Sequence, residues 1–123
     1  MSHQEVELIV VSLSANLDEI ERILGKSDIG GHSIGSSRSN GLIRRHSIWL
    51  KKMETNAELI EDLVDEALGW LSIRYGELKD MDQAILCKIS CRVPTKGVRV
   101  GFTVTPQTAK LIAELDLVLL LDV

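Results

Sequence analysis

The apolar positions of this chain change period several times, and each change marks an element. Val6 to Leu13 reads VELIVVSL, with Leu8 to Val11 apolar at consecutive positions. That pattern predicts a central strand, covered on both faces or covered on one and paired beside the other. From Leu17 the period lengthens. Leu17, Ile20 and Leu24 share one helical face, with Ile23 at its border. Asn16 stands before them with Glu19 three residues on, the spacing of a capping box, and Gly25 follows as a C-terminal stop. The prediction is a short helix over 17–24.

Periodicity then disappears. Gly25 to Gly41 holds five glycines and five serines in 17 residues, too few apolar groups to pack a core. It is expected to be a flexible loop over 25–41. Leu42 to Met53 reads as a strand, firmest from Ser47 to Leu50. Thr55 and Glu58 form a second capping box ahead of a long amphipathic helix. Leu59, Leu63, Ala67, Trp70 and their neighbours make its broad apolar stripe. Gly69 and Gly76 interrupt it, and Gly76 offers a stop. Ala84 to Val93 alternates, with Cys87, Ile89 and Cys91 on one face and Lys88, Ser90 and Arg92 on the other. Pro94 and Gly97 turn the chain into a partner strand, Val98 to Val104. Thr105 and Pro106 open a third helix, and the aliphatic run Leu117 to Leu121 predicts a covered final strand.

Strands separated by helices place the chain in the α/β (α+β) class. One mixed or antiparallel sheet is expected, with helices packed against it. The order suggests a ferredoxin-like arrangement: βαβ units at the two ends and a long central helix inserted between them. Composition agrees with a single domain over residues 1–123. The 45% hydrophobic content supplies a core without help from disulfides or metals.

Charge and chemistry narrow the functional classes. The net charge of −4 and a total of four aromatic residues speak against nucleic-acid binding, which needs a basic footprint or stacking rings. No apolar stretch is long enough to span a membrane, and Glu5 and Glu7 interrupt any signal-peptide pattern. Cys87 and Cys91 lie about 13 Å apart on an extended strand. That is too far for a mutual disulfide, and free thiols suit a cytoplasmic, reducing location.

The C-terminal run Gly101, Phe102, Thr105, Pro106, Leu111, Ala113, Leu115 and Asp122 resembles the closing segment of a family of small bacterial proteins known as a domain of unknown function. Leu24-Gly25, Trp49 and the leucines Leu63, Leu71 and Leu78 extend the likeness upstream. Asp116 stands where that family has glycine, at a turn both residues tolerate in the left-handed region. The resemblance implies a ferredoxin-like order of elements and transfers no activity.

No residue set has the spacing of a catalytic or metal site, and no cofactor is implied. The glycines of 25–41 lead into a strand rather than a helix, and no Walker-type phosphate motif is present. His32, Arg38, Arg44, Arg45 and His46 are the candidate ligand- or partner-binding residues. No acidic residue occurs from Ile29 to Lys51, so this stretch forms an anion-binding surface unless the acidic run from Glu54 to Glu66 neutralises it. On an extended strand Arg44 and His46 would share a face and Arg45 would oppose them. Trp49 and Trp70 are expected to pack together between sheet and helix. Two functions compete. One is a non-enzymatic protein-interaction domain, self-association included. The other is a small-molecule or anion-binding module, possibly catalytic, built on 25–46. A concave pocket beside the loop, lined by Arg44, Arg45 or His46, discriminates the second.

Overall fold

A computed structural model of the chain describes residues 5–53, 60–92 and 103–122. Strand β1 (Glu5–Ser12) leads to helix α1 (Leu17–Leu24), strand β2 (Ser47–Met53) and helix α2 (Ile60–Met81). Strand β3 (Leu86–Arg92), helix α3 (Pro106–Glu114) and strand β4 (Val118–Asp122) complete the order. The four strands form one mixed sheet, β2-β1-β3-β4. β1 runs antiparallel to both β2 and β3, and β3 runs parallel to β4.

The helices pack on the sheet face that carries Val6, Leu8 and Val10 of β1. Trp49 of β2 and Cys87, Ile89 and Cys91 of β3 share that face and are buried. α2 lays Leu63, Val64, Ala67, Leu68 and Leu71 onto it, and α1 adds Ile20 and Leu24. Alternation along β1 therefore has the origin expected of a central strand. Its even positions meet the helices, while Ile9 and Val11 stay half-buried on the opposite face. Trp49 and Trp70 stack as expected, with ring centroids 5.8 Å apart and planes 8° from parallel.

Local capping signals fold as their chemistry predicts. The Asn16 side chain accepts from the Glu19 amide at 2.9 Å, and Glu19 Oε1 accepts from the Asn16 amide at 3.3 Å. Thr105 caps α3 through the Thr108 amide, with Pro106 in its first turn. Asp116 does take up the left-handed conformation, φ 44°. Gly76 does not stop α2. A side chain added at Gly69 or Gly76 would meet nothing within 4 Å. Continuing the helix past Gly76 buries Leu78 completely.

Other expectations are corrected. The N-terminal unit is not a parallel βαβ, since β1 and β2 are antiparallel neighbours. After α1 the chain runs back along the outside of β2 and enters that strand from the end where β1 finishes. The split βαβ unit is central instead: α2 joins β2 to β3, which run parallel with β1 between them. α3 then joins the adjacent parallel pair β3 and β4. The expected strand 42–53 begins only at Ser47, because β1 ends at Ser12, the register partner of Ser47. The final strand closes one end of the described sheet, with Leu120 and Leu121 43% and 52% exposed. The capping box at Thr55 and Glu58 and most of the expected strand Val98–Val104 lie outside the described residues. Thr103 and Val104 carry no regular structure.

Candidate functional site

The segment 25–46 has a defined path set by its serines and glycines. It first forms a strap along the outer edge of β2. Asp28 donates its amide to the Leu50 carbonyl at 2.8 Å, and His32 exchanges amide and carbonyl bonds with Ile48 at 3.0 and 2.9 Å. Side chains complete the edge: Leu50 donates its amide to Ser27 Oγ at 3.0 Å, and Lys52 to Asp28 Oδ2 at 2.7 Å. The outward backbone groups of Ile48 and Leu50 are thereby satisfied, as a sheet edge requires. Glycine is needed for this approach at Gly31. A Cβ there would collide with Ser27 Oγ and lie 2.9 Å from the Ile48 carbonyl oxygen.

Further serines anchor the strap to the rest of the fold. Ser33 Oγ accepts from the Leu17 amide at 3.1 Å, tying the loop to the start of α1. Ser47 Oγ accepts from Ile34 at 2.9 Å and donates to the Ala15 carbonyl at 2.7 Å. Beyond Ile34 the chain folds into a small tongue. Gly35 donates to the Arg44 carbonyl, and the Arg44 amide donates to Ser36, each at 2.9 Å. Arg38 and Gly41 close its tip, with Gly41 at φ 85°, in the region glycine favours. The segment 42–46 thus pairs back on its own loop. Strand alternation does not apply to it, and Arg45 is not separated from Arg44 and His46.

All five candidate residues line one cleft of about 870 Å³: His32, Arg38, Arg44, Arg45 and His46. That volume suits a small organic ligand. Gly41, Leu42 and Ile43 also line it, and among the described residues the lining contains no carboxylate. Arg44 is held in place, its Nη1 donating to the Ser37 carbonyl at 3.0 Å and to Ser36 Oγ at 3.2 Å. Arg38 and Arg45 are exposed. The His32 and His46 rings lie 5.3 Å apart, centroid to centroid, at 56°. His32 Nε2 is buried without a hydrogen-bond partner. Burial, and then the positive charge of Arg44, His46 and Arg38, hold the His32 pKa below its ordinary 6.5. An imidazole so placed is a neutral group facing a cationic wall.

The arrangement can bind negative charge. Guanidinium groups donate to phosphate or carboxylate oxygens in pairs. The serines near the histidines have other partners: Ser33 accepts from Leu17, and Ser36 Oγ donates to the Ser33 carbonyl. Cys87 and Cys91 are buried under the helices, away from this cleft. Burial pushes their thiols up to about 12 and about 11. Among the described residues no three His, Cys, Asp or Glu side chains converge as metal ligands. Sequence reasoning did not reach Leu42 and Ile43 as lining groups, because within an expected strand they read as sheet residues. No helix of the described residues is long and apolar enough to cross a membrane. Comparison with family models, with curated proteins and with solved structures gives no match for this chain.

Proposed function

We propose that the protein is an anion-binding module whose site is the cleft between the strap and the tongue. One observation carries this reading. Three arginines and two histidines that are scattered over 15 positions of sequence converge on a single concavity that has no carboxylate among the described residues lining it. Positive charge gathered in one place is an electrostatic cost of the free protein, and a bound anion relieves it. The buried free thiols suit a reducing, cytoplasmic setting.

Isothermal titration calorimetry with inorganic phosphate tests it. Arg38 and Arg45 are the informative positions because both are exposed, so replacing them leaves the fold intact. Losing charge-assisted hydrogen bonds should weaken binding about tenfold or more in the Arg38→Ala/Arg45→Ala protein. Equal affinity in both proteins, or no heat with either, would remove the proposal.

A second reading, protein interaction with self-association included, is favoured by a different observation. Among the described residues no helix covers the second face of the sheet. There Ile9, Val11, Ile48, Leu50 and Leu86 are half-buried, while Val118 and Leu120 are 39% and 43% exposed. This largely apolar strip, in which Lys88 stands between Ile9 and Val118, suits a docked partner or a second copy. The resemblance to the family of small bacterial proteins adds no activity to either reading.

A further inference from the structure

The cleft carries a second chemical character besides charge. Leu42 and Ile43 line it directly, and they are 60% and 65% exposed. They sit at the tongue between Arg38 and Arg44, so each lies next to a cation in the same concavity. Isolated exposed aliphatic residues are ordinary on protein surfaces. Two adjacent ones facing into a cationic cleft are a different arrangement, because a ligand held by the arginines would lie against them. Inorganic phosphate would leave both side chains in water. An anion with an apolar body would cover them and use the rest of the volume.

Resting on the anion-binding reading above, we infer that the ligand of this cleft is a phosphate monoester joined to an apolar chain, its phosphoryl group on the arginines and its chain on Leu42 and Ile43. The phosphoryl group matches the wall because it carries up to two negative charges and three terminal oxygens. Several guanidiniums can share these, whereas a single carboxylate offers two oxygens. The apolar chain matches the remainder by removing Leu42 and Ile43 from water. A fully buried methylene tightens binding by up to about fourfold, so a chain of several methylenes has a readily measured effect even when partly covered.

A homologous series separates this inference from the reading beneath it. Methyl, butyl and hexyl phosphate carry the same head and differ only in apolar length. Calorimetric titration should give tighter binding with each extension, and hexyl phosphate should bind at least about fivefold more tightly than methyl phosphate. In the Leu42→Ser/Ile43→Ser protein the ratio of hexyl to methyl phosphate affinity should fall to about one, whatever the affinity for methyl phosphate itself. Both positions are exposed, so this variant keeps the fold. Affinity independent of chain length in the parent protein, with methyl phosphate still bound, would overturn the inference and leave the anion site standing. Absence of binding across the whole series would overturn both. A sedimentation arm with phosphatidylcholine vesicles containing phosphatidic acid identifies the source. Co-sedimentation that depends on phosphatidic acid and on Leu42 and Ile43 assigns the head group to a lipid surface. Tight hexyl phosphate binding without sedimentation assigns it to a free amphiphile.

Discussion

Trp49 joins three parts of the fold. Its ring is 1% exposed, it stacks on Trp70 of α2, and its indole N–H donates to the Gly25 carbonyl at 2.8 Å. Arg74 and Lys51 lie over the Trp70 ring at 4.1 and 4.5 Å, extending the layer with cation–π contacts. Trp49→Ala opens a large cavity and should cost about 3–5 kcal/mol. A urea melt followed by circular dichroism should show the midpoint falling, and an unchanged midpoint would refute the role. Asp82 is the buried polar counterpart. It accepts from Ser12 Oγ at 2.6 Å and from the Ala84 amide at 2.9 Å, linking the end of β1 to the exit of α2. The Ser12 hydrogen bond outweighs burial and holds the Asp82 carboxyl below its ordinary 3.8. With a folded pKa below the unfolded one, this group stabilises the fold above about pH 4 and loses that contribution as pH falls through the folded value. Asp82→Ala should destabilise by about 1–3 kcal/mol at neutral pH through unpaired buried groups. It should also make the acid side of the stability curve shallower in thermal melts from pH 7 to pH 3. A parallel acid limb in both proteins would refute the linkage.

Among elements, the strap decides how the sheet ends. It covers the outer edge of β2 by alternating backbone and side-chain bonds, and Gly31 sits where no Cβ fits. Gly31→Ala should loosen it. Hydrogen exchange should then speed up at the Ile48 amide, which donates to His32, and at the Leu50 amide, which donates to Ser27. Amides within β1 and β3 should keep their protection, and unchanged exchange at Ile48 and Leu50 would contradict the assignment. The strap also explains which elements were legible in the sequence. Helix caps at Asn16 and Thr105 are local chemistry, readable three residues at a time, and they formed as read. The start of β2 was not local. Leu42 to His46 has strand-like residues, but only pairing with β1 makes a strand, and β1 ends opposite Ser47. The antiparallel entry of β2 was hidden for the same reason, since it depends on the return path of the loop. Glycine and serine content suggested a loop without specifying its bonds. The partners of Ser27, Ser33 and Ser47 lie on other elements.

At the scale of the molecule, net charge and local charge point in different directions. The chain is acidic overall, at −4, yet its cleft gathers arginines with no carboxylate among the described lining residues. Average composition spoke against a general basic footprint but could not reveal that concentration. The candidate residues were readable from the acid-free stretch. Their convergence was not, because strand alternation would have split them and only the tongue brings them together. Burial would still lower the His32 pKa, but an anion held there should offset the positive charge of Arg44, His46 and Arg38 and shift that pKa upward. With sulfate as the probe, whose charge is constant in this range, binding should therefore take up protons and tighten as pH falls through the His32 titration. Ionic strength should weaken it. The most direct test of the central claim is a ¹H–¹⁵N correlation spectrum titrated with inorganic phosphate. Saturable shifts should concentrate on the amides of His32, Arg38 and residues 41–46. The mixed-charge end of the open sheet face, at Glu7, Lys52 and Ser90, should remain still. Shifts spread evenly over surface lysines and arginines, or none at residues 32–46, would contradict the account.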